Sequence, residues 1–145
     1  YDYDTAKIWY EMAAEAGSVS AMGELANIYN VWDINYEEAA KWYLKAANAG
    51  DTESMLSLGT LYNGGYLGER DETLAEQWYL KAAEAGNNHA MLNLGMLYAE
   101  RQDYGAALHW YGMAVDNGYE FAKELIQYLV EDGHIAAEAA AKWLE

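Results

Sequence analysis

Apolar side chains recur along this chain at helical spacing, and the whole arrangement repeats at intervals of 33, 36, 32 and 33 residues. Each repeat has a tryptophan with an alanine three positions before it, and in four repeats a tyrosine follows the tryptophan directly. These positions are Trp9-Tyr10, Trp42-Tyr43, Trp78-Tyr79, Trp110-Tyr111 and Trp143. Self-similarity at a fixed period of a few tens of residues is typical of stacked repeat proteins, so the pattern predicts an array of helical repeats.

A glycine divides each of the first four repeats into two helices. Gly17, Gly50, Gly86 and Gly118 suit the left-handed position just past a helix end, and Ser18, Asp51 and Asn87 can cap the helix that follows. The segment "NYEE" is typical of a capping box, with Asn35 as the cap and Glu38 three residues later. The pattern predicts nine helices, at about 4–16, 18–31, 35–49, 51–63, 71–85, 87–101, 103–117, 119–132 and 134–144.

Taken together, the recurring residues read A-x-x-W-Y-x-K-A-A-x-x-G-x-x-x-A-M-x-x-L-G-x-L-Y, which resembles the Sel1-like repeat, a relative of the tetratricopeptide repeat. The resemblance implies an all-α, right-handed α-solenoid superhelix of antiparallel helix pairs, with about four and a half repeats. It also implies a scaffold for protein contacts, with no catalytic centre in the repeat itself. The pattern departs from the family at Gln127, Leu129 and Val130, which indicates either a terminal capping turn or a one-residue rotation of the helix.

Composition restricts the classes of function. The 145 residues are 53 % hydrophobic, which predicts one folded domain over residues 1–145. A formal net charge of −16 opposes binding to nucleic acid or to an anionic membrane, and it favours a basic partner. No apolar run approaches the roughly 18 residues of a membrane helix, and the N-terminus does not resemble a signal peptide. A soluble monomer is expected, with no prediction of compartment.

The recurring aromatic and small residues are expected to form the core. Trp9, Trp42, Trp78, Trp110 and Trp143 are all predicted to be core residues, with Trp32 as an exception outside the repeat register. Gly59 and Gly95 each cost about 1 kcal/mol of helix propensity relative to alanine, so their recurrence at one register predicts close approach of a neighbouring helix. Leu67, in the loop at 63–70, is expected to pack back on the repeats.

Catalytic and metal-binding chemistry has little support. The absence of cysteine excludes thiolate metal sites and cysteine nucleophiles. His89, His109 and His134 occupy different repeat positions, and no pair has the four-residue spacing of two metal ligands on one helix face. The acidic pairs Glu37-Glu38 and Asp71-Glu72 lie where helix N-termini favour negative charge. We therefore predict no catalytic residue, no metal and no cofactor.

The candidate partner-binding surface follows from the resemblance, which implies that the first helix of each pair lines a concave face. When positions are counted from the repeat glycine, the residues 3, 7 and 10 positions after that glycine lie on the helix face opposite the apolar stripe. These positions carry mostly polar side chains that are not required for packing of the core. They are Ser20, Glu24, Asn27, Glu53, Ser57, Thr60, His89, Asn93 and Met96.

Three functions are compatible with the sequence. The first is a non-catalytic scaffold that binds a peptide or protein partner, basic or neutral, along its concave face. The second is an engineered or idealised repeat scaffold with no native partner, indicated by the absence of proline, cysteine and an initiator methionine and by the terminal "LE"; the uneven repeat intervals count against a simple consensus design. The third is a hydrolase that uses non-contiguous residues.

Overall fold

A computed structural model describes residues 2–145, and within them the chain forms nine α-helices and no β-strand. The helices are α1 (Tyr3–Glu15), α2 (Val19–Val31), α3 (Tyr36–Asn48), α4 (Thr52–Asn63), α5 (Glu72–Glu84), α6 (Asn88–Glu100), α7 (Tyr104–Asp116), α8 (Ala122–Glu131) and α9 (Ala137–Leu144). The first seven begin and end within one residue of the predicted bounds. The predicted all-α fold of helix pairs is therefore confirmed.

The turns use the residues that the sequence indicated. Gly17, Gly50, Gly86 and Gly118 all have φ between 88° and 96°, the left-handed conformation that ends a helix. The next helix is then capped by a short polar side chain: Ser18 accepts from the amide of Ala21, Asp51 from that of Ser54 and Asn87 from that of Ala90. These caps satisfy amide donors that have no partner within the helix.

The capping box predicted at α3 is only half formed. The Asn35 side chain accepts from the Glu38 amide at 3.1 Å, as expected. The Asn35 amide, however, donates to the Tyr29 carbonyl at 2.8 Å, and the Glu38 carboxylate pairs with Lys41. The carbonyl from the preceding helix therefore takes the place of the glutamate in this box.

Residues up to Lys81 and residues from Ala82 onward form two compact units, which are described separately. In the first, α1 contacts α2, α2 contacts α3 and α3 contacts α4. Its core includes two clusters of buried residues. One contains Ala14, Ala21 and Leu25, and the other contains Ala26, Ala39, Tyr43, Ala47, Leu58 and Leu61. Leu67 packs against the second cluster, which confirms its predicted role. The single continuous solenoid over residues 1–145 stays a prediction.

In the second unit, α6, α7, α8 and α9 contact one another in chain order, and α9 also contacts α7. Its buried apolar residues include Leu94, Leu97, Tyr111, Ile126 and Leu129. The core is again built from the alanine, leucine and tyrosine positions of the repeat.

In three of the four Trp-Tyr pairs the tyrosine, and not the tryptophan, is the buried aromatic, whereas Trp9 and Tyr10 of the first pair are both exposed. Tyr43, Tyr79 and Tyr111 are between 2 % and 4 % exposed, whereas Trp9 is 65 % exposed. The prediction that Trp9 is a core residue is therefore wrong. The rings of Trp42, Trp78, Trp110 and Trp143 are half-buried. Lys45 and Lys81 lie over the rings of Trp42 and Trp78, 3.9 and 4.4 Å from the centroids, so these tryptophans form a partly solvated cation–π layer.

A glycine on one helix admits the buried tyrosine of the next repeat. A Cβ atom on Gly59 would lie 2.5 Å from Cδ1 of Tyr79, and one on Gly95 would lie 2.5 Å from Cδ1 of Tyr111. Normal van der Waals contact is 3.4–4 Å, so no side chain fits at either glycine without movement of a ring. The predicted close approach at Gly59 and Gly95 is confirmed, and the neighbouring group is a tyrosine ring.

The last repeat differs from the others. Helix α8 begins three residues later than predicted, because Tyr119 holds the position of the caps Ser18, Asp51 and Asn87 and has no short side-chain acceptor. Neither α8 nor α9 has a side-chain cap hydrogen bond. Trp143 of α9 instead packs on α7, where a Cβ on Gly112 would lie 2.8 Å from its Cη2 atom. Its Nε1 atom donates to Asp116 at 3.1 Å.

Candidate partner-binding site

A polar cleft of about 360 Å³ lies beside α2 and α4 in the first unit. Five of the nine predicted binding residues line it: Ser20, Glu24, Asn27, Glu53 and Ser57. Four further residues complete the lining: Gly23, Tyr43, Asp51 and Ser54. The register counted from Gly17 and Gly50 therefore places side chains from two helices around one concavity.

Close approach of α2 to the start of α4 brings these side chains together. A Cβ on Gly23 would lie 3.4 Å from both Asp51 Oδ2 and Ser54 Oγ, so the bare backbone of α2 lies against the cap of α4. Asp51 accepts from the amide and the hydroxyl of Ser54, which is 1 % exposed. These bonds hold the Asp51 carboxylate in a fixed position at the cleft.

Tyr43 connects the cleft to the core. Its ring is buried, and its hydroxyl donates to Asn27 Oδ1 at 2.7 Å, which fixes the orientation of that amide. Burial raises the pKa of the Tyr43 hydroxyl, and the charge of Glu24 acts in the same direction. Glu24 and Glu53 are themselves exposed, so both carboxylates are accessible to solvent.

The cleft is acidic and rich in hydrogen-bonding groups. It presents three carboxylates, from Glu24, Asp51 and Glu53, together with hydroxyl groups and the Asn27 amide. Carboxylates and the amide oxygen accept hydrogen bonds, whereas the amide nitrogen and the serine hydroxyls donate them. Such a surface is suited to ammonium or guanidinium groups and to the polar atoms of an extended peptide backbone.

The other four predicted residues lie elsewhere. Thr60 lines a separate pocket of about 310 Å³ beside Asn30, Tyr36 and Tyr66. His89, Asn93 and Met96 belong to the second unit: His89 is edge-on to Tyr119 at 5.3 Å between centroids, Asn93 is half-buried, and Met96 lines a third pocket. The nine residues are therefore distributed over several surfaces.

Sequence reasoning missed four lining residues, and it had given two of them structural roles. Asp51 was assigned as a helix cap and Tyr43 as part of the core, and each has that role in addition to lining the cleft. Gly23 and Ser54 were not among the predicted binding residues. The available signal was their position one turn from predicted residues, since Gly23 lies three residues after Ser20 and Ser54 lies three residues before Ser57.

The histidines are not brought together. His109 lies beside Trp110, and His134 stacks on Tyr104 at 3.9 Å between centroids and contacts Asp132 at 2.8 Å. Among residues 2–145, no group of three or more histidine, aspartate or glutamate side chains is placed to hold a metal ion. Over the same residues, no helix is both long enough and apolar enough to cross a membrane.

The Sel1 repeat family model matches residues 1–18, 33–51, 52–87 and 88–119. The chain is similar to the solved structure of c5321, a protective antigen of uropathogenic Escherichia coli strains that displays an SLR fold, with 28 % identity and a TM-score of 0.77. It is equally similar to a Sel1 repeat protein from Oxalobacter formigenes, with 28 % identity and a TM-score of 0.77. Among curated proteins, none matches significantly.

The alignments cover 94 % of this chain in both cases, but only 32 % of the Escherichia coli protein and 60 % of the Oxalobacter protein. The family match ends at residue 119, just before the atypical helices α8 and α9. This chain belongs to the Sel1 repeat family. Sel1 repeats generally mediate protein–protein interactions, and the family is typically non-catalytic.

Proposed function

We propose that this chain is a non-catalytic scaffold that binds a basic or neutral peptide segment of a partner protein in the cleft beside α2 and α4. The observation that carries the proposal is the convergence of five register-matched polar residues, from two different helices, on one concavity. None of the five is fully buried, so they remain available for contact with a partner. In this proposal one copy of the chain, acting as a monomer, binds one peptide segment.

The charge of the cleft supports a basic partner. Three carboxylates line it in a chain whose formal net charge is −16, so a cationic segment is attracted both at long range and at contact. Contacts between exposed charges are weakened by salt, since the screening length is about 10 Å at 0.1 M ionic strength. Binding should therefore weaken as salt is added.

The test is a titration of a basic peptide library against the wild-type chain and the Glu24→Lys, Glu53→Lys double variant at low and moderate salt. We expect the double variant to bind at least about tenfold more weakly at low salt, because two attractive charges become repulsive. The matched control is Glu15→Lys, Glu69→Lys. It makes the same change in net charge at exposed positions in the same unit but outside the cleft.

Equal binding by the cleft variant and the wild type would exclude this cleft as the binding site. Equal weakening in both variants would show that net charge alone attracts the peptide. A chain that binds no peptide, and that retains no protein from an unbiased pull-down, would match the scaffold without a native partner. Hydrolysis of the peptides during titration would support the hydrolase alternative.

A further inference from the structure

The third buried tyrosine lacks the hydrogen bond that its two counterparts make. The Tyr43 hydroxyl donates to Asn27 at 2.7 Å, and the Tyr79 hydroxyl donates to Thr60 at 3.5 Å. Asn27 and Thr60 both lie ten residues after a repeat glycine, and Met96 holds that position in the third repeat. A thioether is only a weak acceptor, and the Tyr111 hydroxyl makes no hydrogen bond to any residue that the structure describes.

Tyr111 lines an open pocket. Tyr111 is 4 % exposed as a whole residue, yet it lines a cavity of about 390 Å³ in the second unit. Within the described residues, no fully buried side-chain nitrogen or oxygen atom lacks a partner, so this hydroxyl keeps some accessible surface on a residue that lines the cavity. A polar group that is nine-tenths buried and directed into a cavity is suited to bind a ligand that enters it.

Aromatic rings and one carboxylate form the rest of the pocket. The lining that matters for recognition consists of Met96, Glu100, Tyr104, Tyr111, Tyr128 and His134. The rings of Tyr104 and His134 are stacked, 3.9 Å apart and 11° from parallel, and so present a flat aromatic surface. Tyr128 is 60 % exposed and Met96 is 46 % exposed, so the pocket opens to solvent.

The carboxylate makes the pocket electronegative. Burial raises the pKa of the Tyr111 hydroxyl to about 12, and the charge of Glu100 adds to this shift. Glu100 and Tyr111 both line the pocket, so both can act on one bound group. An apolar, aromatic pocket with a single negative charge favours a cation that has a flat face and an apolar stem.

We propose that this pocket binds one arginine side chain of a partner polypeptide. The guanidinium group stacks on the tyrosine rings and pairs with Glu100, and one of its N–H groups donates to the Tyr111 oxygen. The methylene stem of the arginine packs on Met96. Lysine fits less well, because its ammonium group is a compact, strongly hydrated charge that does not stack on rings. The pocket lies in the second unit and does not depend on the cleft beside α2 and α4.

The experiment is a nuclear magnetic resonance titration of the full, ¹⁵N-labelled chain with three blocked tripeptides, in which arginine, lysine or citrulline lies between two glycines. Citrulline has nearly the shape of arginine but carries no charge. We expect the arginine peptide to shift the amide signals of α6 and α7 around Met96 and Tyr111, and to bind at least about tenfold more tightly than the citrulline peptide. Equal binding of citrulline, or no shift at these positions, would overturn the proposal.

Three variants connect the binding to the tyrosine. Tyr111→Phe retains the buried ring and should weaken arginine binding about tenfold, since a hydrogen bond to a charged group is lost. Met96→Thr reproduces the Tyr79–Thr60 arrangement and should also weaken binding, because the hydroxyl gains an internal partner. Tyr79→Phe is the matched control in the first unit and should bind arginine as the wild type does.

Stability and cleft controls make the outcomes distinct. Tyr111→Phe removes a hydroxyl that has no partner among the described residues, so its melting temperature should equal or exceed that of the wild type. Unchanged arginine affinity in a folded Tyr111→Phe protein would refute the role of the hydroxyl. The Glu24→Lys, Glu53→Lys variant should retain arginine binding at this pocket, and loss of that binding would show that the peptide occupies the first cleft.

Discussion

Replacement of Gly95 by alanine tests whether the space at this position belongs to the ring of Tyr111. Alanine favours the helix by about 1 kcal/mol relative to glycine, so the exchange would stabilise an open site. At Gly95, however, the new Cβ would lie 2.5 Å from Cδ1 of Tyr111 and closer still to Cε1. The ring would have to move by about 1 Å to restore normal contact, and it is buried on all but 4 % of its residue surface.

The two effects have opposite signs, and their sizes decide the result. Insertion of a methyl group into a tightly packed core costs about 1–3 kcal/mol. Because the obstructing atoms belong to a buried ring and not to the end of a flexible chain, we expect the upper half of that range. After subtraction of the gain in helix propensity, Gly95→Ala should lower the free energy of unfolding by about 1–2 kcal/mol.

The assay is urea denaturation followed by circular dichroism, with Gly105→Ala as the control in the same unit. The atom nearest to a Cβ on Gly105 is Asp103 Oδ1 at 3.8 Å, so this exchange should be neutral or stabilising by up to about 1 kcal/mol. In a Tyr111→Leu background, Gly95→Ala should lose its penalty, because the ring is absent. If Gly95→Ala stabilises the protein as Gly105→Ala does, the inference that the Tyr111 ring occupies the space at Gly95 is wrong.

Two further predictions concern the tyrosines. Tyr79→Ala should lower the free energy of unfolding by about 3–5 kcal/mol, whereas Trp9→Ala, at a 65 % exposed position, should change it by no more than about 0.5 kcal/mol; equal losses in urea denaturation would contradict the assignment of tyrosine as the core aromatic. The pKa of the Tyr111 hydroxyl is raised to about 12 in the folded chain, so between pH 10 and pH 12 the folded state keeps a proton that the unfolded state releases. The contribution of this proton to the free energy of unfolding is therefore complete below pH 10 and is lost as the pH rises from 10 to 12. Melting temperatures should fall less steeply over this range in Tyr111→Phe than in the wild type, and identical slopes would contradict the raised pKa.

Features that depend on neighbouring residues in the chain were predictable from the sequence. The left-handed glycines and the caps Ser18, Asp51 and Asn87 act within one turn, so the local residues determine their geometry. The late start of α8 belongs to the same class, since Tyr119 at the cap position was visible in the sequence.

The choice between tryptophan and tyrosine was not predictable in this way. The two residues are adjacent and recur with the same period, so periodicity cannot say which of them points into the core. Contact with another helix decides it, because Gly59 and Gly95 leave room for the rings of Tyr79 and Tyr111. The tryptophans of these repeats stay half-buried. The candidate cleft also depends on contact between helices, so it was predictable only in part. The bare backbone at Gly23 lets α2 approach Asp51 and Ser54, and the spacing of residues within one helix does not reveal this approach.

The pairing of a glycine with the tyrosine of the following repeat bears on how such a chain changes in length over evolutionary time. Within a repeat, the tyrosine lies in the helix before the turn glycine, and the glycine that contacts the ring of the next repeat lies in the helix after that turn. A duplicated segment of one repeat therefore carries a tyrosine whose ring fits the repeat before it and a glycine that receives the ring of the repeat after it. Repeats can be gained or lost by recombination without the invention of a new interface, provided that the segment exchanged is a whole period.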